Sequence, residues 1–366
     1  MTIPPSVPPA MGSVLHRTRP AAGPALPRIA LVTRPTPVHR LPRLGRALGA
    51  NDLWVKRDDL SAALYAGNKP RKLEYLLGRA VSRGYRSIVT FGALGTNHGL
   101  ATAVHAAGLG LETILVLVPQ PVTPRVVHAL QLDRAFGAEL VVASGVADAA
   151  GRALALLARS WARGRPALLV PPGGSSPLGT VGYVEAGLEL GAQVRAGELP
   201  EPRALFVAVG SGGTAAGLAL GLRLAGLGTQ VIGVLVTDIL PPSAVRLRRL
   251  AHAAGRRAGG EAAAIRLPVG ALTLVAGFVG AAYGASTPEA TEAVALAERL
   301  EGLALETTYT GKCLAALGRL ASTAPLRPGP VLFWNTVSSI EPLPPGGRLP
   351  RVSELPAPVQ RAVRAG

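Results

Sequence analysis

The sequence predicts an α/β protein built on parallel sheets. Short apolar runs typical of strands alternate with longer amphipathic patterns typical of helices, from residue 53 to residue 334. Such alternation is the pattern of parallel sheets covered by helices. The chain has 366 residues, of which 48% are hydrophobic and 16% charged, so it is long enough for two domains with buried cores. No repeat at a solenoid period is visible.

The first half of the chain predicts one run of strands and helices. Residues 1–28 are rich in Pro and Arg, a composition that predicts a disordered tail. Amphipathic spacing then predicts helices at residues 41–48, 69–83, 100–108, 123–136 and 147–163. Apolar runs predict strands at residues 53–56, 87–91, 113–118, 140–143 and 167–171.

The second half continues the alternation. Helices are predicted at residues 178–195, after residue 214, and at 242–255, 288–300 and 311–321, and strands at 204–209, 231–236 and 331–334. Two charge-free stretches, residues 204–222 and 267–288, reach the length of a membrane span. Glycines interrupt both and prolines interrupt the second, so we expect a strand-turn-helix unit and a buried loop. Residues 346–366 are Pro- and Arg-rich and are expected to pack loosely.

Lysine is scarce in this chain, and one lysine stands where a helix is predicted to start. The 38 basic residues include four lysines, which leaves 34 arginines. Lys69 follows Gly67 and Asn68. An amine, unlike a guanidinium, can lose its proton and act as a nucleophile in Schiff-base chemistry, which makes Lys69 the candidate catalytic residue. The alternative, that Lys69 and Lys72 are two solvated charges on a first helical turn, stays open at this point.

A glycine-rich turn follows the strand predicted at residues 204–209. In Gly210-Ser211-Gly212-Gly213-Thr214, backbone N–H groups at a helix start favour an anion. The turn lacks the lysine of a nucleotide P-loop and the spacing of a dinucleotide-binding turn. A single phosphate, also bonded by the Ser211 and Thr214 hydroxyls, fits better, and a tight structural turn is the alternative. A reactive lysine with a one-phosphate site and no metal motif indicates pyridoxal phosphate.

All four lysines lie within segments that occur in one order in a known enzyme family. The segments are Lys56-Arg57-Asp58-Asp59-Leu60, Ala66-Gly67-Asn68-Lys69-Pro70-Arg71-Lys72-Leu73-Glu74-Tyr75, Thr96-Asn97-His98, Gly210-Ser211-Gly212-Gly213-Thr214-Ala215-Ala216-Gly217-Leu218 and Tyr309-Thr310-Gly311-Lys312. They resemble the motifs of the fold-type II pyridoxal-phosphate enzymes called 1-aminocyclopropane-1-carboxylate (ACC) deaminases and D-cysteine desulfhydrases. The resemblance extends over residues 31–339, and matches in one order are more specific than any single motif.

The resemblance implies a tryptophan synthase β-like fold of two α/β domains with the cofactor in the cleft between them. It implies a large domain over residues 29–72 and 178–345, a small inserted domain over residues 73–177 and a tail over residues 346–366. Lys69 would bind pyridoxal phosphate covalently and then act as the base. The other implied site residues are Asn97 at the ring hydroxyl, Thr96 at the substrate carboxylate, Gly210, Ser211, Gly212, Gly213 and Thr214 at the phosphate, Thr336 at the pyridine nitrogen, and Tyr283 and Tyr309 beside the substrate. Packed aromatics and an ordinary strand end are the alternatives for the two tyrosines and Thr336.

The sequence departs from the family at the expected substrate end. Family members commonly have Ser at Thr96, Arg-Gln at Leu100-Ala101, and His-Thr-Gly-Gly where this chain has Asn335-Thr336-Val337-Ser338. We therefore expect the methyl of Thr96, the loss of the polar pair and the bulk of Val337 to alter the substrate pocket. The deaminases usually carry Glu at Thr310 and Leu at Thr336, so both threonines favour the desulfhydrase branch.

The reaction implied is α,β-elimination from a small amino acid, with D-cysteine giving pyruvate, ammonia and sulfide. ACC deamination to 2-oxobutyrate and ammonia is the first alternative. The alternative of another class is a protein without activity that keeps the fold and binds or regulates a partner, for instance an acidic one.

Charge and cysteine content limit the partners and the compartment. The net charge is +17, but the arginines are scattered and aromatic residues make up only 4%, so we expect no nucleic-acid partner. The single cysteine, Cys313, excludes an internal disulfide and a Cys-based zinc site. No signal peptide is evident. A homodimer in the cytoplasm, with neither a bound metal nor a membrane partner, is the expectation.

Overall fold

The computed structural model describes residues 26–323 and 329–365, which form two sheets covered by helices. Residues 1–25 of the predicted tail lie outside the described residues. Residues 26–28 are packed, since Arg28 Nε donates to Glu74 Oε2 at 3.0 Å. The expected disorder of these three residues is therefore wrong, because a buried carboxylate fixes the arginine.

The helices and strands follow the predicted alternation. The strands are β1 (Val38–Arg40), β2 (Leu53–Arg57), β3 (Ser87–Ala93), β4 (Glu112–Val118), β5 (Glu139–Val142), β6 (Ala167–Val170), β7 (Ala204–Val209), β8 (Gln230–Leu235), β9 (Leu272–Val275) and β10 (Val331–Asn335). The helices are α1 (Pro42–Ala47), α2 (Lys69–Ser82), α3 (Asn97–Ala107), α4 (Pro124–Ala135), α5 (Val146–Ala162), α6 (Pro177–Arg195), α7 (Gly213–Leu224), α8 (Ala244–Ala258), α9 (Glu261–Ala264), α10 (Pro288–Glu301), α11 (Thr310–Thr323) and α12 (Ala357–Ala365).

The strands form one large and one small sheet. The six-stranded sheet has the order β1-β2-β10-β7-β8-β9 and is parallel except for the β1–β2 pair. The four-stranded sheet, of order β5-β4-β3-β6, is parallel throughout. The predicted α/β class with parallel sheets is confirmed.

The central strand β7 is buried on both faces. Leu205 and Val207 pack into a core with α6, α7 and α8, whereas Ala204 and Phe206 pack into a second core with α10 and α11. Successive side chains of a strand point to opposite faces, so a strand covered on both sides is apolar at every position. This explains the uninterrupted apolar sequence before the glycine-rich turn.

Several features differ from the sequence predictions, among them the short helix α9 and the helix α12, which were not predicted. The strand β1 was not predicted, and the expected buried loop at 267–288 contains the edge strand β9. The helix α3 begins at Asn97, because Thr96 caps it by accepting the Gly99 N–H. The expectation of loose packing after residue 345 is wrong, since Leu355 and Val359 are buried in a core beneath β4 and β5. In the described part of the chain, no helix is long and apolar enough to cross a membrane.

Candidate active site

The carboxyl ends of strands from both sheets border one cavity of about 380 Å³. Phe91 and Ala93 of β3 line it from the small sheet. Gly210 after β7 and Thr336 after β10 line it from the large sheet. The carboxyl ends of parallel strands are the usual place for a ligand in α/β folds, so this cavity is the candidate active site.

The turn before Lys69 is fixed against the end of β10. Gly67 has a φ of +88°, and an added β-carbon there would lie 2.7 Å from the Thr336 carbonyl oxygen. The Asn68 N–H donates to the same carbonyl at 3.1 Å, and the Gly67 N–H donates to the Asp58 carbonyl at 2.8 Å. Only glycine accommodates both the positive φ and the close approach. Lys69, the first residue of α2, is thereby held at the cavity wall.

The Lys69 amine lies among uncharged hydrogen-bonding groups. Its Nζ donates to Asn68 Oδ1 at 2.6 Å, and Asn68 Nδ2 donates to Thr214 Oγ1 at 3.1 Å. Burial lowers the pKa of Lys69 to about 8, although the carboxylate of Glu306 opposes the shift. The unprotonated form, which a nucleophile or a base requires, is therefore far more populated near neutral pH than in an ordinary lysine, although it stays the minor form.

The glycine-rich turn and a second serine form an anion cradle at the start of α7. Gly212 has a φ of +88°, and an added β-carbon would lie 2.2 Å from Leu247 Cδ2. The Gly213 N–H donates to Ser175 Oγ at 3.0 Å. Ser175 Oγ also lies 2.7 Å from Ser211 Oγ. A helix N-terminus and two hydroxyls thus converge on one point, where an anion is favoured.

Lys72 directs a buried amine at the same cradle. Its Nζ donates to Ser175 Oγ at 3.2 Å and to the Gly173 carbonyl at 3.0 Å. The residue is 2% exposed, and the structure, as far as it describes the chain, gives it no carboxylate partner. Burial and the neighbouring Lys69 hold the pKa of Lys72 well below its usual range. A bound anion would offset the free-energy cost of burying this charge. The alternative of a solvated charge at Lys72 is wrong, because the side chain is buried.

Thr96 and Asn97 stand at the N-terminus of α3, on the cavity side of the small sheet. Thr96 Oγ1 accepts the Gly99 N–H at 3.4 Å, which leaves its hydroxyl proton free for a ligand. Asn97 Oδ1 lies 3.4 Å from the Tyr65 hydroxyl, which donates to it. Both residues line the cavity, so the helix N-terminus, the hydroxyl and the amide face the same space.

Two tyrosines meet on the large-sheet side of the cavity. Tyr283 and Tyr309 share a short hydrogen bond between their hydroxyls, with ring centroids 6.0 Å apart. Burial raises the pKa of both Tyr283 and Tyr309, so both stay protonated. Glu306 fixes Tyr309 by accepting its backbone N–H at 2.8 Å and that of Thr310 at 2.9 Å.

All the predicted site residues except Gly213 line the one cavity. Among described residues, the Thr336 hydroxyl has no hydrogen-bond partner. Residues that sequence analysis did not select, and that also line the cavity, are Asn68, Lys72, Ser175 and Glu306. The scarcity of lysine was a signal for Lys72, whereas nothing in the sequence linked Ser175 to a turn 36 residues away.

The departures from the family do not all lie at the substrate end. Leu100 and Ala101 are buried in a core with α2, away from the residues that line the cavity. The expectation that this pair alters the substrate pocket is therefore wrong. Thr310 does not line the cavity either, because its hydroxyl is bonded to Glu306 at 3.2 Å. Thr96, Thr336 and Val337 do line it.

The chain is similar to known proteins over most of its length. Residues 29–337 match the family described as pyridoxal-phosphate dependent enzyme. A putative 1-aminocyclopropane-1-carboxylate deaminase of Pyrococcus abyssi is 35% identical over 312 residues, covering 85% of this chain and 91% of that protein. A D-cysteine desulfhydrase of Yersinia pestis is 34% identical over 315 residues, covering 85% of this chain and 93% of that protein.

Solved structures extend the comparison to the fold. A crystal structure of an ACC deaminase homologue superposes with a TM-score of 0.74 at 32% identity, covering 85% of this chain and 92% of the other. A threonine deaminase from Solanum lycopersicum, 17% identical with a TM-score of 0.59 and covering 84% of each chain, shows similarity of fold alone.

Proposed function

Because the chain belongs to the pyridoxal-phosphate dependent enzyme family, we propose that it is a lyase that eliminates the β-substituent of a small amino acid. Its fold is the α/β fold of fold-type II enzymes. D-cysteine is the proposed substrate, with pyruvate, ammonia and sulfide as products. The observation that carries the proposal is the Lys69 amine beside an anion cradle, in the cavity that Thr96 and two tyrosines also line.

The side chains of the cavity fit pyridoxal phosphate. Lys72 is a buried cation that an anion would satisfy, and the Gly213 N–H and the Ser175 and Ser211 hydroxyls converge beside it. We assign the cofactor phosphate to the turn formed by Gly210, Ser211, Gly212, Gly213 and Thr214, together with Lys72 and Ser175. Lys69 would hold the cofactor covalently, Asn97 its ring hydroxyl and Thr336 its pyridine nitrogen.

Lys69 is the proposed base for the α-proton. Pyridoxal phosphate, when bound, supplies the electron sink that acidifies the α-C–H bond of an amino acid. The lowered pKa of Lys69, about 8, leaves its amine able to accept that proton near neutral pH. A positioned base of this kind contributes roughly 10²- to 10⁴-fold in rate.

The remaining residues orient the substrate and receive its leaving group. The Thr96 hydroxyl and the α3 N-terminus would bind the carboxylate. Tyr283 and Tyr309, whose raised pKa values keep their protons in place, would donate a hydrogen bond to the departing sulfur. Thr336 supports elimination over transamination, because a neutral hydroxyl does not keep the pyridine nitrogen protonated as a carboxylate would.

ACC deamination is the second candidate function. It is supported by the similarity to a putative ACC deaminase and to the structure of an ACC deaminase homologue. Thr336 favours the desulfhydrase branch, and it carries most of this distinction because Thr310 does not line the cavity. Retention of Lys69, Asn97 and the cradle counts against the alternative of a binding protein without activity.

A product assay separates the two reactions. Cofactor-saturated protein is incubated with D-cysteine and with ACC, and pyruvate, sulfide and 2-oxobutyrate are measured. We expect pyruvate and sulfide from D-cysteine, and no activity for Lys69→Ala. Release of 2-oxobutyrate from ACC, without sulfide from D-cysteine, would move the chain to the deaminase function. Inactivity on both would rule out both substrates and would leave another amino acid, or a binding protein without activity, as the alternatives.

A homodimer in the cytoplasm without a nucleic-acid partner completes the proposal. The single cysteine is buried, which suits a reducing compartment. Several arginines are engaged in ion pairs within the chain, for instance Arg71 with Asp58 and Arg152 with Asp148. Sedimentation with and without a DNA fragment at physiological salt tests both the dimer and the lack of DNA binding.

A further inference from the structure

Two glycines face the side chain of Thr96 although their backbones do not require glycine. Neither Gly92 in β3 nor Gly99 in α3 has a positive φ. An added β-carbon at Gly92 would lie 2.4 Å from Thr96 Cβ and Cγ2 and 2.5 Å from Oγ1. An added β-carbon at Gly99 would lie 2.5 Å from Thr96 Cγ2 and 3.1 Å from Leu115 Cδ1. Carbon atoms in contact lie about 3.5–4.0 Å apart, so these glycines make room for Thr96.

Both glycines approach the methyl of Thr96, but they differ in the other atoms they approach. At Gly99 the close atom of Thr96 is the methyl carbon alone, whereas at Gly92 the β-carbon and the hydroxyl oxygen are as close as the methyl carbon. The Thr96 methyl therefore occupies the space that a side chain at Gly99 would fill. With the methyl seated there, the hydroxyl accepts the Gly99 N–H at the edge of the cavity that Thr96 lines.

We propose that Gly99 is a specificity-determining positioning residue, whose missing side chain seats the Thr96 methyl and so aims the Thr96 hydroxyl at the substrate carboxylate. The inference rests on the proposed function, in which Thr96 binds that carboxylate. It corrects the expectation that the methyl of Thr96 alters the substrate pocket, because the methyl is packed against the helix start. The site thus accepts Thr where family members commonly have Ser.

Gly99→Ala tests whether the space beside Gly99 positions the Thr96 methyl. The added methyl displaces the Thr96 side chain, and we expect the KM for D-cysteine to rise about ten-fold or more, since misplacement by about 1 Å is costly in a preorganised site. The kcat should change less than KM. Thr96→Ser removes the clashing methyl, so the double variant should return to within about three-fold of Thr96→Ser alone. The Leu115 contact is with the end of a flexible side chain and can adjust.

Gly92→Ala is the matched control. It adds the same methyl beside the same side chain, but besides the Thr96 methyl it clashes with the β-carbon and the hydroxyl oxygen, which serine keeps. Thr96→Ser should therefore fail to rescue Gly92→Ala in KM. Rescue at Gly99 with no rescue at Gly92 is the pattern that the inference predicts.

Thermal unfolding of the same cofactor-loaded variants separates packing from specificity. The Tm should fall in Gly99→Ala and recover with Thr96→Ser, in parallel with KM. Recovery of the Tm with a KM that never changed would make Gly99 a structural residue only and overturn the inference, as would an absence of rescue in either measurement. If the unsubstituted chain turns over no D-cysteine, the proposed function itself fails. An active chain whose KM is unchanged in Gly99→Ala would overturn only the role of Gly99.

Discussion

Two lysines at the start of α2 have different surroundings although they are one helical turn apart. Residues three apart lie on the same face of a helix, so both amines reach the cavity. The Lys69 amine meets the amide of Asn68, whereas the Lys72 amine meets Ser175 and the Gly173 carbonyl. The first arrangement suits covalent chemistry and the second suits a bound anion.

Lys72→Met should weaken the binding of pyridoxal phosphate by about ten- to a hundred-fold, because a hydrogen bond to a charged group contributes about 1.5–3 kcal/mol. Binding of pyridoxal, which lacks the phosphate, should be nearly unchanged. Equilibrium titration followed by absorbance measures both. Lys312→Met is the matched control, because Lys312 is equally buried but donates to the Val279 carbonyl outside the cavity lining. An equal loss of affinity for pyridoxal phosphate and for pyridoxal would show that Lys72 does not bind the phosphate.

At the scale of elements, buried ion pairs fix α2 against α6 and β2. Glu189 of α6 accepts from Arg71 Nη1 at 2.9 Å and from Lys56 Nζ at 2.6 Å. Arg71 also donates to Asp58 at 2.8 Å. Burial opposes ionisation of Glu189, but the charges of Arg71 and Lys56 outweigh it and hold the pKa of Glu189 well below its usual range. The network thus positions the helix that begins with Lys69.

Glu189→Gln should destabilise the protein by about 3–5 kcal/mol at neutral pH, because it removes the carboxylate partner of buried Lys56 and leaves Arg71 with Asp58 alone. A depressed carboxylate pKa contributes stability above the unfolded pKa, about 4.3, and loses it as the pH falls. The difference in free energy of unfolding between variant and parent should therefore shrink below about pH 4. Urea unfolding at several pH values measures it. Glu185→Gln, one helical turn earlier with a longer 3.4 Å pair to Arg34, should cost less. If the difference in free energy of unfolding stayed constant across this pH range, the ion pairs of Glu189 would not be the source of the stability.

Sequence patterns predicted the elements with local signals and missed those fixed by distant contacts. The strand β7 begins and ends where its apolar run does, because both of its faces are buried. The strand β9 has four residues and pairs only at the edge of the large sheet, so its glycine-rich surroundings hid it. Ser175 and Glu306 were missed because no local pattern marks them, and only the folding of the chain brings them to the cavity.

At the scale of the whole molecule, the candidate site exists only where the two sheets meet. Lys69 and Thr336 come to the cavity from the large sheet and Thr96 from the small one. The order of motifs along the chain predicted this set of residues, and the resemblance supplied the two-domain arrangement, whose boundaries remain a prediction. The distances within the set depend on packing between helices, which no motif encodes. The burial of Leu100 and Ala101 in the core is one such result.

Mapping the lysine that carries the cofactor tests the central claim most directly. The cofactor-loaded protein is reduced with borohydride, digested with trypsin and analysed by mass spectrometry. Trypsin cuts after Arg71 but not between Lys69 and Pro70, so Lys69 falls in the peptide of residues 58–71 and Lys72 begins the next one. We predict a pyridoxyl group on Lys69 alone. A pyridoxyl group on Lys56, Lys72 or Lys312 instead, or on none of the four, would contradict the assignment.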